Sequence, residues 1–256
     1  MRTKILIIAL LFIPFLKSTC KATVKVHSHN DYKQSRPFYN AYEAECNSVE
    51  ADIYFINGDF YVGHDKNELT PKATLRNLYL NPIYEAFKQN NGTVYKNGNG
   101  LQLLIELKEK DSLELPALER QLREYGTLFE GQQHKGCVTI VITGCVPEPK
   151  DFAKYSKIFY FDGLPDINYT KEQMKRVPMI SVEFSKYSHW QGKGKMLKKE
   201  QKRIKDLAQQ LHKKGQTLRF WGCPDNSTAW KLFIKLGIDW LNTDHPAIIR
   251  KFLKTY

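Results

Sequence analysis

Seven residues of this chain combine types and spacings that suit chemistry. The stretch "KVHSHNDYKQ" carries His27 and His29, "SVEADIYF" carries Glu50 and Asp52, "YVGHD" carries His64, and "LLIELK" carries Glu106 and Lys108. In a β-strand, residues two apart project from the same face, roughly 7 Å apart along the chain. Glu50 and Asp52 therefore point together, with Val49, Ala51 and Ile53 opposite, and Glu106 and Lys108 repeat the pattern. Charges in apolar strands need a cation, a partner or water. Three carboxylates gathered from neighbouring strands make a hard-oxygen site that suits calcium or magnesium better than zinc. His27 ends its run and His64 follows the next, so the two could serve as general base and general acid on either side of a site. A phosphodiester requires that division of labour, with a divalent ion and Lys108 offsetting phosphate charge. The plainer alternative is that Glu106 pairs with Lys108 and that Glu50 or Asp52 caps a loop.

The elements that would position these residues are short β-rich runs separated by helical stretches. The runs are "TVKVH", "NSVEADIYF", "LQLLIELK", "CVTIVITG", "KIFYFDG", "VPMISVEF", "TLRFWG" and "IDWLNTD", with "DFYVGHD" as a short strand hanging from the second. Helical spacing is clear in "RPFYNAYEAEC", "LPALERQLREYG", "KEQKRIKDLAQQLHKKG" and "STAWKLFIKLG", the last two closed by Gly215 and Gly237. Eight strands with crossover helices in 256 residues predict a single (β/α)8 TIM barrel, with a doubly wound sheet as the alternative. In a barrel, both acidic pairs would stand at the C-terminal ends of adjacent strands, which is the active face.

The order of these motifs resembles the glycerophosphodiester phosphodiesterase and phosphatidylinositol-specific phospholipase C superfamily. That pattern has a histidine ending strand one, Glu-x-Asp on strand two, "HD" soon after, and Glu-x-Lys on strand three. Here they match His27, "EAD", "GHD" and "ELK", while "LRFWGCPD" and "LGIDWLNTDHP" resemble its late strands. The resemblance implies His27 and His64 as catalytic residues, Glu50, Asp52 and Glu106 as ligands of a divalent calcium or magnesium ion, and Lys108 and Trp221 as substrate contacts. Trp221 equally suits a place in the barrel core. The chain departs from the glycerophosphodiesterase pattern after the first histidine. Arg-Gly is replaced by "SHNDY", and "PENT" by "PFYN". "HSHNDY" is similar to a branch of secreted bacterial proteins and their fungal relatives. His29 has the parity of His27 but falls where the chain is expected to turn, which leaves it the rival for the first catalytic position, and Asn30 and Asp31 are expected to shape the loop. The implied activity is that of a phosphoric diester hydrolase acting on a small phosphodiester or a lipid headgroup. The alternative is an idle barrel that binds an anionic glycan or headgroup.

Residues 1–22 read as a signal peptide: Arg2 and Lys4 precede the apolar run Ile5 to Leu16, and a cut after Ala22 leaves a domain over 23–256. A secreted or periplasmic protein is expected. Lipid anchoring through Cys20 is disfavoured by Lys17, where such signals carry an aliphatic residue. No later stretch is apolar enough to span a bilayer. The net charge of +12 falls to near +8 once the four cations before the cut are removed. The lysine-rich stretch from Lys193 to Lys214 reads as a solvated helix face, and the absence of any zinc-finger or stacking motif speaks against nucleic acid. Four cysteines would remain, without zinc-site spacing. Cys137 and Cys145 bracket one strand and lie too far apart to bridge each other.

Overall fold

The computed structural model describes residues 24–256 apart from Asp111. The expected signal peptide, its expected cut and Cys20 lie outside the described residues. In chain order the elements are β1 (Lys25–Ser28), α1 (Tyr39–Glu43), β2 (Ser48–Ile56), β3 (Asp59–Val62), α2 (Asn81–Gln89), β4 (Leu101–Leu107), α3 (Glu114–Arg123), β5 (Val138–Gly144), β6 (Phe159–Gly163), α4 (Lys171–Met174), β7 (Met179–Glu183), α5 (Lys198–Lys213), β8 (Leu218–Trp221), α6 (Ser227–Leu236), β9 (Trp240–Thr243) and α7 (Pro246–Thr255).

Eight of the strands run parallel in the order β1-β9-β8-β7-β6-β5-β4-β2, and β1 also pairs with β2. The sheet is therefore closed, a single (β/α)8 barrel. β3 is the exception, folding back antiparallel onto the upper half of β2 through Asn57 and Gly58, both at positive φ. Asn-Gly is the pair that such a two-residue hairpin favours. This hairpin ends just before His64.

Alternation along the strands gives two cores. The outward residues, such as Val49, Ala51 and Ile53 on β2 or Ile140 and Ile142 on β5, pack beneath the helices. Helical spacing meets them: Ile204, Leu207, Ala208 and Leu211 form the buried stripe of α5. α6 is framed by Asn226, which accepts a hydrogen bond from the Ala229 N–H, and by Gly237 at φ 89°. Inside the barrel, Leu104, Val141, Met179 and Trp240 plug the lower half. The next inward positions up the same strands are polar or charged: Glu106, Thr143, Ser181 and Asn242. The interior thus changes from apolar to charged within one step of the pleat, and that change defines the floor of the site. Among the described residues all four cysteines are free, with Cys137 and Cys145 at opposite ends of β5.

Candidate active site

Glu50 occupies the floor. Its Oε2 accepts from Arg219 Nη2 at 2.8 Å and contacts His27 Nε2 at 2.7 Å. Burial alone would raise its pKa, but Arg219, aided by His27 and His29, holds the carboxyl well below the usual range. Arg219 is itself buried and donates through Nε to Asn242 Oδ1 at 2.9 Å. Two positions higher on β2, Asp52 Oδ2 lies 2.9 Å from the Tyr32 hydroxyl, 3.2 Å from His64 Nδ1 and 3.2 Å from Lys108 Nζ. Its Oδ1 is buried without a partner. Burial, and then the negative charge of Glu50, push the Asp52 carboxyl up. Glu106, opposite Asp52 in the parallel register, is raised by burial and by Asp52. Gly144 lets β5 end beside it: a Cβ there would lie 2.5 Å from the Leu107 carbonyl and 2.8 Å from Glu106 Cγ.

Glu50, Asp52 and Glu106 each offer an oxygen within 4.8 Å of the others. The set fits a hard divalent cation. All the donors are carboxylate oxygens, the unpartnered Asp52 Oδ1 is among the atoms at hand, and the mutual repulsion that raises two of the three is what a cation relieves.

His27 does not stand where the sequence reading expected an acid–base group. It is completely buried, with Nδ1 2.9 Å from Ser48 Oγ and Nε2 on Glu50. Burial, reinforced by Arg219, depresses its pKa to about 4. With both ring nitrogens engaged beneath the cleft, it has no free edge to offer a substrate. The next residue of that parity, His29, follows the strand end and opens onto the cleft, with its side chain 26% exposed. His29 Nδ1 bonds Asp244 Oδ1 at 2.8 Å, and Nε2 lies 3.9 Å from Glu50 Oε1. Burial pulls its pKa down, but Asp244 and Glu50 outweigh that and raise it. His64 lies at the other side of the cluster, beside Asp52 and half-exposed. Its backbone N–H donates to Glu68 and its carbonyl accepts from the Tyr54 hydroxyl. Each imidazole therefore has Nδ1 against an aspartate and Nε2 left for chemistry.

The loop after β1 is built around Asp31, which is buried and accepts from Ser28 Oγ, the Phe38 N–H and the Tyr79 hydroxyl. Asn30, at φ 45°, makes the turn that aims His29 inward. Lys108 was expected on phosphate. Its Nζ instead lies between Asp52 Oδ2 and Glu106 Oε1 at 3.2 and 3.1 Å, and it does not line the cleft. Two carboxylates within reach claim the ammonium group first. Trp221 is at the mouth, 43% exposed, and not in the barrel core. The cleft has a volume of about 570 Å3, and beyond the polar floor its walls include Val146, Leu164, Ile167 and Trp221.

Residues that the sequence reading left unassigned complete the floor. Arg219 shares the parity of Trp221 on β8, a signal that was available. Asp162 on β6 accepts from the Thr143 hydroxyl at 3.2 Å and lies beside the Ser181 hydroxyl. Burial pushes the Asp162 carboxyl up to about 6, against the opposing charge of Arg219.

Residues 18–161, which carry both histidines of the cleft and all three carboxylates, match the AIM6-like phosphodiesterase domain. The chain belongs to that family. Residues 217–247, with Arg219, Trp221 and Asp244, match the glycerophosphoryl diester phosphodiesterase family. Relatives within the AIM6-like group include the "Altered inheritance of mitochondria protein 6 homolog" of Arthroderma benhamiae, 26% identical over an alignment covering 86% of this chain and 81% of the relative. The Saccharomyces cerevisiae (strain ATCC 204508 / S288c) "Altered inheritance of mitochondria protein 6" is 26% identical, with 86% and 68% covered. Among solved structures, a glycerophosphodiester phosphodiesterase from Parabacteroides distasonis superposes with a TM-score of 0.56 at 16% identity, covering 90% of this chain and 97% of its own. An Oleispira antarctica phosphodiesterase in complex with the product sn-glycerol-3-phosphate gives 0.52 at 13%, with 90% and 96% covered. These likenesses show that the AIM6-like barrel shares the glycerophosphodiesterase fold.

Proposed function

We propose that this chain is a secreted, divalent-cation-dependent phosphoric diester hydrolase, with His29 and His64 as its acid–base pair. The observation that carries the reading is the pair of imidazoles flanking the three-carboxylate cluster, each held through Nδ1 by an aspartate. Glu50, Asp52 and Glu106 would hold a calcium or magnesium ion, which would offset the charge developing on phosphate. Asp244 fixes the tautomer and orientation of His29, and Asp52 with Tyr32 does so for His64. One Nε2 takes the proton of the attacking hydroxyl or water and the other returns a proton to the leaving oxygen. Arg219 keeps Glu50 ionised, and Lys108 keeps the negative charge of Asp52 and Glu106 in check. His27 braces Glu50 from below. The apolar wall at Leu164, Ile167 and Trp221 is suited to the alcohol portion of the diester.

The purified protein should cleave bis(p-nitrophenyl) phosphate in the presence of calcium or magnesium. Activity should vanish with a chelator and in His29→Ala. Cleavage that survives both changes overturns the reading. With a hydroxyl-bearing diester, phosphorus NMR separates attack by that hydroxyl, which yields a cyclic phosphate, from attack by water. Export is supported by Arg2 and Lys4 ahead of the apolar run Ile5 to Leu16. Recovery of extracellular protein starting at Thr23 would establish it, and a full-length cell-retained product would refute it.

A further inference from the structure

Among the described residues, the large apolar side chains that the barrel leaves exposed are not spread around it. Tyr39, Leu113, Leu164, Leu197, Trp221 and Ile248 are among them, and Tyr256 is the seventh. Tyr39 opens α1, Leu113 and Leu197 precede α3 and α5, Leu164 follows β6, Trp221 ends β8, and Ile248 is in the first turn of α7. Those six places are all on the strand-to-helix side, the end of the barrel on which the cleft opens, whereas Tyr256 ends α7. Single exposed apolar residues need no explanation, but a set confined to one end marks a surface that something covers.

The charge at the same end says what. Between β7 and α5 the chain reads "KGKMLKKE", and Lys193, Lys195, Lys198 and Lys199 are exposed on either side of Leu197, which is 57% exposed. Among the described residues none of these four lysines is within salt-bridge distance of a carboxylate. Lys198 and Lys199 also occupy the first turn of α5, where the positive end of the helix dipole disfavours cations, and Leu197 at the N-cap supplies no capping bond. Met196 anchors the segment in the core, while the four lysine side chains and that of Leu197 add neither an ion pair nor a side-chain cap. A basic loop with an aliphatic tip suits a surface that is anionic outside and apolar beneath. Nucleic acid would use the lysines but gains nothing from Leu197, the aliphatic tip set among them, so a duplex is the control that separates the two surfaces.

We propose that this face, with the β7–α5 loop as its leading edge, docks on an anionic phospholipid bilayer and brings the cleft mouth to the lipid surface. The proposal does not depend on hydrolysis, so vesicle binding and catalysis are separate readouts.

The mature chain proposed above, residues 23–256, is the species to test. Cosedimentation should show at least tenfold tighter binding to vesicles of phosphatidylglycerol with phosphatidylcholine than to phosphatidylcholine alone, with binding weakening as salt rises. Each basic residue near an anionic surface is worth roughly fivefold in partitioning, so Lys193→Ala with Lys195→Ala should lose about 25-fold. Leu197→Ser should lose about tenfold on vesicles while leaving any binding to a DNA duplex unchanged. All three side chains are exposed, so the variants should melt with the parent; if one does not fold, the lipid and salt dependence of the parent decides. Absence of vesicle binding, equal binding to both vesicle types, Leu197→Ser without effect, or duplex binding as tight as vesicle binding would each overturn the proposal.

Discussion

Glu50 and Asp52 are two residues apart on one strand and face the same interior, yet their surroundings differ. Glu50 is enclosed: Arg219 and His27 meet one of its oxygens, and its carboxyl is held ionised. Asp52 has three groups crowding one oxygen and none on the other, and its pKa moves the opposite way. A single step of the pleat separates a charge already compensated by the fold from one left partly uncompensated. The lower layer reads as scaffold, the upper as working surface. His27 and His29 repeat the contrast on β1 and just beyond it.

The comparison breaks most sharply if the histidines are exchanged in role. His29→Ala and His64→Ala should each lower kcat by about 10^2 to 10^4-fold with little change in melting temperature, as expected for proton-transfer groups. His27→Asn should chiefly lower the melting temperature, and a kcat loss in His27→Asn equal to that in His29→Ala would erase the division. Next in size is Arg219→Met, which leaves Glu50 buried beside an apolar chain. Denaturant unfolding should show a loss of about 3–5 kcal/mol. A divalent ion sharpens the contrast from above. Calcium or magnesium at a hundredfold excess over its Kd should stabilise the protein by about 2.7 kcal/mol, and Asp52→Asn should abolish that gain in a thermal melt.

Asp162 tests the same idea by pH. Its folded pKa is raised to about 6, so the native state binds more protons than the unfolded chain between roughly pH 4 and 6. The stability that Asp162 contributes is complete below that window and lost as pH rises through it. Asp162→Asn should therefore gain on the parent from pH 4 to pH 7, by at most about 3 kcal/mol. A stability of Asp162→Asn minus that of the parent that falls as pH rises would contradict this. The smallest effect belongs to an ion pair in water. Arg76 and Glu124 make two contacts of 2.7 and 3.1 Å on the surface, and Arg76→Ala should cost under about 1 kcal/mol.

Much of this was legible in the sequence because strands announce their period. The "EAD" and "ELK" spacings placed Glu50, Asp52 and Glu106 on one interior face, and the eight β-rich runs gave the closed barrel. Three things were not legible. Parity put His27 and His29 on the same side, but burial, which separates them, depends on how far up the barrel each sits. The destination of Lys108 depended on distances across β2 and β4 that no local pattern carries. The pairing of Arg219 with Glu50 joins β8 to β2 across the barrel, and although its parity with Trp221 points it inward, no local pattern names its partner. Among helices, α2, α4 and α7 carry no helical stretch named from the sequence, and "RPFYNAYEAEC" forms only the short α1, since the chain around it is spent on the loop that holds His29.

The bond from His29 to Asp244 spans 215 residues, and β1 pairs with β9 along its whole length. Contacts between the first and last strands close a loop of more than 200 residues, and contacts of such separation are the slow part of folding. The cleft is therefore a late product of the folding reaction. Helical signal can return before the first and last strands meet, but the histidine beyond β1 acquires its aspartate only when the ring is sealed. Recovery of the intact site after denaturation should follow the slowest phase.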